Sequence, residues 1–415
     1  MADVTTDTRP GPDFTRLWWS SAATNLADGV VIAAGPLLVA SLTRDPVAIG
    51  AAAFAQNLPW LLFSLVSGAL VDRWDRRRVL VAVNAFRAAL IGVLVAAIAV
   101  DALTVWLVYA VFFLLGTAET LVDTAASALV PDIVAVAALP TANARQQAVG
   151  IVGNMLVAPP MGAALFAVAV ALPFWVDAGL FLVGAVVAGT LRHRPPPRPR
   201  AAGTRIRAEI AEGVRWAWSH RLLRAMAVSL CLMNVLLMAT LAILVLYAEQ
   251  RLGLDEVGFG LLFAATAAGG LIGSAVAPWL RRRFGDSPLV RVGLVIETAT
   301  HFLLATTTDP WVAGAVILVF GVHGSVFGVV LTSARQRAVP EALRGRVGSV
   351  YMLLIIGGAG IGSLVGGFIA RGYGITAPFW VAGVAMVVLT AAVWRVFRPA
   401  VFDEALPGEQ DQPEG

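Results

Sequence analysis

The chain has 415 residues, of which 59% are hydrophobic and 13% charged, and its formal net charge is +4. Soluble domains lie near about 45–50% apolar and about 25% charged, so no water-soluble core of this length accounts for the composition and lipid is the expected solvent. The basic excess is all arginine and forms no basic face interleaved with aromatics, which argues against nucleic acid. The single cysteine, Cys231, excludes an internal disulfide.

The apolar residues fall in runs of roughly 20, the length at which a helix crosses ~30 Å of hydrocarbon. The runs are continuous and do not alternate, so helices are expected rather than barrel strands. Twelve spans are predicted, at 16–42, 47–71, 79–100, 103–129, 145–170, 173–191, 222–247, 258–280, 289–307, 311–333, 347–370 and 376–396. The polar start and the long first run, which holds Asp28, read as a retained helix and not as a cleaved signal. The fold class expected is an all-α membrane protein with two six-helix bundles, 1–191 and 222–402. Between them, 192–221 begins with a proline- and arginine-rich stretch suited to an extended linker and continues into a short amphipathic helix with Trp216 and Trp218 at the interface. The tail at 403–415 is acidic and expected to be disordered.

With both termini in the cytoplasm of an inner-membrane protein, only Arg44, Arg251 and Arg371 fall in outer loops and Arg87 inside a span; every other arginine lies at a cytoplasmic end. The halves also repeat. Gly68 to Arg78 closes the second span and Gly273 to Arg283 closes the eighth, and Val130-Pro131-Asp132 after the fourth span returns as Val339-Pro340-Glu341 after the tenth. Parallel repeats of this kind build one large class of carriers.

Gly68-x-x-x-Asp72-Arg73-x-x-Arg76-Arg77 resembles the signature between helices two and three of the major facilitator superfamily, with Asp75 where glycine is usual. Gly68 would let two helices approach, Asp72 would meet an arginine or a helix N-terminus as a gating latch, and the arginines would anchor to anionic headgroups. A static positive-inside anchor is the plainer alternative. The second copy has Ala277 in place of the acid, so the latch is expected in the first half only. Leu139 to Ala144, and Gln336 to Arg346, are similar to the branch of enterobactin exporters and macrolide efflux proteins. Ala158-Pro159-Pro160-Met161-Gly162-Ala163 is similar to the antiporter motif of exporters, with alanine at two of its glycines; Pro159 and Pro160 should bend the helix.

Charge inside a span is expensive, about 2.5–3.5 kcal/mol or more at the bilayer centre unless paired or wet. Asp28 lies mid-span with Ser21 and Asn25 on its face; Gln56 and Trp60 share a face of the second span; Glu119 and Asp123 stand one turn apart on the fourth. The resemblance implies that these helices and the fifth, with Asn154, line a central cavity. Two acids one turn apart repel, and a carboxylate that takes and releases a proton is what coupling requires. Arg87 lies at the depth of Asp123 and is expected to pair with Asp123 or Glu119; a static ion pair is the alternative reading. His323 is a candidate relay, though packing is commoner for a lone histidine; Glu297 is placed to pair with His301, and Asp177 to reach the outer interface. Gly358, Gly362 and Gly366 form a stripe that permits close helix contact.

No phosphate-binding loop, metal motif or enzyme signature appears, so no cofactor is expected. The function expected is proton-coupled efflux of a lipophilic or cationic small molecule by a monomer using alternating access. The alternatives are import of a small solute on the same fold, or a scaffold or sensor that transports nothing.

Overall fold

A computed structural model describes residues 11–71, 73–192, 214–216, 218–340 and 343–400. Asp72, most of the 192–221 segment and the 403–415 tail lie outside the described residues. The described chain is helical: α1 Pro12–Leu42, α2 Pro46–Val71, α3 Arg76–Ala99, α4 Val105–Ile133, α5 Leu139–Val149, a π-helix Gly150–Val157, α6 Ala158–Val168, α7 Leu172–Gly189, α8 Arg221–Leu241, α9 Leu244–Gln250, α10 Glu256–Phe284, α11 Asp286–Thr306, α12 Pro310–Ala338, α13 Arg344–Tyr373 and α14 Ala377–Val393. Among the described residues, eleven helical segments are long and apolar enough to cross a membrane, and α14 is a shorter apolar helix.

Local chemistry explains where these helices begin. Thr104 accepts from the Leu107 amide at 3.3 Å to cap α4, and Asp309 accepts from Trp311 and Val312 at 2.7 and 3.2 Å to cap α12. Asp75 accepts from the Arg77 and Arg78 amides at 3.0 and 3.2 Å, so the residue that departs from the family signature is the N-cap of α3. Two of the expected spans are interrupted. The fifth passes through the π-helix just before Pro159 and Pro160, so the irregularity falls on the N-terminal side of the prolines. The seventh is broken at Ala242–Ile243 between α8 and α9.

The chain divides into two compact units, one of residues 1–44, 51–200 and 255–264, the other of 45–50, 201–254 and 265–415. In the first, α1 packs along α6 and α7, and α3 packs between α4 and α7. Its core includes Phe14, Leu17, Leu80, Val122 and Leu129. The seam between α1 and the fifth span is glycine-dependent: a Cβ at Gly162 would meet the Val30 backbone at 2.6 Å. In the second unit α8 packs along α13, and α11 lies against α12 and α14. Here the stripe is a packing seam, because Cβ atoms at Gly358, Gly362 and Gly366 would run into the backbone of Cys231, Val235 and Ala239 on α8.

The arginine-rich loop is built differently from expectation. Among the described residues, nothing lies within 4 Å of a Cβ placed on Gly68. Arg76 is buried, paired to Asp132 and donating to the Ala128 carbonyl at 3.2 Å; Arg77 donates to the Gly189 carbonyl. Both therefore face protein and tie the start of α3 to the ends of α4 and α7, whereas Arg73 is exposed. The second unit also has an arginine–acid contact, from an acid outside the repeated motif. Arg281 binds Asp286 through two bonds of 2.7 and 3.1 Å, and Arg337 binds the same carboxylate.

Candidate functional site

Charged and polar side chains converge in the first unit. α1 supplies Ser21, Asn25 and Asp28 from one face; the Asn25 amide donates to the Ser21 carbonyl at 2.8 Å, and Gln146 of α5 reaches the Ser21 hydroxyl at 3.3 Å. Gly29 sets the approach of α1 to the π-helix, since a Cβ there would meet the backbone of Asn154. This brings Asn154 beside the turn that carries Asp28. α2 and α4 cross at Gln56 and Gly116, where the Gln56 carbonyl occupies the space a side chain at 116 would need. Further along the same crossing, Trp60 stands beside Glu119, and Ser67 and Thr120 share a buried 2.8 Å bond.

Arg87 of α3 is the cation of this cluster. It is 1% exposed and paired to Asp28, not to Glu119 or Asp123 as its depth suggested. Depth along a helix does not fix direction: α3 presents this face to α7 as well as to α4, and the guanidinium carbon sits 4.0 Å from the centre of the Phe181 ring of α7. Glu119, Asp123 and Asp177 are within its electrostatic reach. The site thus gathers four carboxylates around one guanidinium. Their access differs: the Asp28 side chain is 15% exposed, Glu119 is half-buried and Asp123 is exposed.

Asp177 departs most from expectation. It is 0% exposed, with both carboxylate oxygens lacking a hydrogen-bond partner, and so does not reach an interface. Its face of α7 is turned into the bundle, where it meets α1 and α3. Asn84, one turn before Arg87, is equally buried, with both amide atoms unpartnered, and was not legible as a site residue.

His323 does not join this cluster. In the second unit its Nε2 lies 2.9 Å from Glu297, its ring packs between Phe320 and Phe327, and it is 5% exposed. Glu297 also lies 3.6 Å from His301, so one buried acid sits between two histidines. The expected Glu297–His301 contact is present, but the closer partner is His323, which turns toward α11 instead of an open cavity. Among the described residues, no group of metal-ligating side chains is suited to hold an ion.

Eleven helical segments long and apolar enough to cross a membrane among the described residues, with acids and Arg87 held inside the first unit, describe a multi-pass membrane protein. A family model described as transmembrane secretion effector matches residues 11–414. The chain belongs to this family of the major facilitator superfamily. It is 28% identical to the multidrug efflux pump Tap of Mycolicibacterium fortuitum, over 95% of this chain and 97% of that protein. It is 31% identical to an uncharacterised MFS-type transporter of Mycobacterium tuberculosis, over 84% of this chain and 82% of that one. The fold is similar to a solved structure of the nucleoside transporter NupG, with a TM-score of 0.76 over 94% of this chain and 100% of that one at 14% identity. A bacterial homologue of the lysosomal transporter Spinster gives a TM-score of 0.72 over 96% of this chain and 98% of that one at 12% identity.

Proposed function

We propose that the chain is an inner-membrane exporter that uses the proton gradient to expel a lipophilic or cationic small molecule by alternating access. The observation that carries this reading is the excess of carboxylates over the single guanidinium of Arg87 where α1, α2 and α4 meet. A negative site with partial access attracts a cation, and an acid freed from its arginine is a site for a proton. Asp28, Glu119 and Asp123 are the proposed coupling and substrate groups; Asn25, Gln56 and Asn154 supply polar lining, and Trp60 an aromatic face beside Glu119. The similarity to Tap, named a multidrug efflux pump, favours export. Cytoplasmic termini follow from the arginine distribution. Division into bundles at 1–191 and 222–402, a gating role for the Gly68 to Arg77 loop and action as a monomer complete the proposal.

The test is uptake of ethidium, as a fluorescent lipophilic cation, into proteoliposomes with an imposed pH gradient. An acid lumen should drive accumulation, and Glu119→Gln or Asp28→Asn should abolish the response to the gradient. Accumulation that ignores both gradient and substitution would refute proton coupling at these acids.

A further inference from the structure

We infer that Asp177 is a second acceptor for Arg87, the carboxylate to which the guanidinium turns when Asp28 takes up a proton. The functional consequence rests on the proton-coupling reading above; the juxtaposition itself does not.

Arg87 is sealed in the first unit and Asp28 is its ion-pair partner. A proton arriving on Asp28 removes that partner's negative charge while the guanidinium keeps its own. Stranding one member of a buried pair costs about 3–5 kcal/mol, so a site that cycles protons through Asp28 needs another anion for Arg87. Asp177 meets that need: neutral in its dry setting while Asp28 holds the guanidinium, it gives up its own proton to the site as the guanidinium turns to it. It is completely buried, both of its oxygens lack a partner, and it lies within electrostatic reach of Arg87.

Arg87 has matching spare capacity, because its Nε and Nη1 are buried without a partner while Nη2 serves Asp28. Phe181, one turn after Asp177 on α7, holds the guanidinium at the α3–α7 contact, so the exchange is a swing of the head group over a ring and not a movement of helices. The other ionisable groups around Asp177 are Asp28 on α1, and Glu119 and Asp123 on α4 also act on Arg87. These last two are the more accessible acids, which leaves Asp177 as the dry alternative.

The arrangement makes a distinctive statement about pairs of substitutions, read as thermal stability of purified protein without any transport. Asp28→Asn and Asp177→Asn should each leave monodisperse protein, since one carboxylate remains for Arg87. The double variant should lose far more than the sum of the singles, and adding Arg87→Met should restore it. Additive losses, collapse of Asp28→Asn alone, or failure of Arg87→Met to rescue would each overturn the proposal. In proteoliposomes, Asp177→Asn alone should move half-maximal transport to lower pH, because protonating Asp28 then strands the arginine; an unmoved profile would also count against it. Should ethidium transport prove independent of protons, the stability cycle still decides the Arg87–Asp177 relationship.

Discussion

The two units repeat one pattern of helices but handle buried charge in opposite ways. In the first, one arginine serves Asp28 with Glu119, Asp123 and Asp177 around it. In the second, Glu297 is enclosed by His301 and His323, a group rich in donors for its single acid. The loop motifs diverge in the same manner, with Arg76 bound to Asp132 in one unit and Arg281 and Arg337 sharing Asp286 in the other. Helix packing is thus similar in the two units, while their polar interiors differ. The first copy gathers carboxylates around one cation; the second holds one carboxylate between two histidines, of which His323 is within hydrogen-bond distance and His301 is not.

That contrast is broken most severely at Arg87. Arg87→Leu should leave Asp28 and Asp177 without their cation and cost about 3–5 kcal/mol, seen as loss of monodisperse protein on size exclusion. Gly366→Leu attacks the shared scaffold instead: its side chain would enter the backbone of α8 at Ala239, and a cost of about 1–3 kcal/mol or more is expected in thermal melts. His323→Ala should cost about 1–3 kcal/mol by leaving Glu297 short of a partner. It should nevertheless keep the gradient response of ethidium uptake that Glu119→Gln loses, and a lost response would place coupling in both units. The smallest effect is expected at the loop: Asp75→Ala removes the cap of α3 and should cost about 0.5–2 kcal/mol, with hydrogen exchange faster at the Arg77 and Arg78 amides.

Much of this architecture was legible in order and in length. Apolar runs set the spans, and the Gly358–Gly362–Gly366 spacing already described a close seam. Asp28, Glu119 and Asp123 stood out because carboxylates are rare in such runs. What the sequence did not reveal was direction. Asp177, near the end of its helix, reads as interfacial until the packing of α7 on α1 and α3 turns it inward. Arg87 could be placed by depth but not assigned a partner, because a long side chain at one depth reaches several helices. The arginines of the 68–77 loop looked like headgroup anchors because positive charge beside a span ordinarily is; carbonyl and carboxylate acceptors at the helix ends claim Arg76 and Arg77 first.

The π-helix at Gly150–Val157 has a consequence of its own. Each of its turns holds about one residue more than an α turn, so the fifth span contains slack between α5 and α6. Taking up one residue of that slack would rotate everything before it by ~100° about the axis without disturbing α6, whose seam with α1 is held at Gly162. Gln146 and Asn154 lie on the turning side of that joint. The register of Gln146 and Asn154 against Ser21 and Asp28 is thus tied to the winding of this one segment, which the close approach of Gly29 to Asn154 holds as it stands.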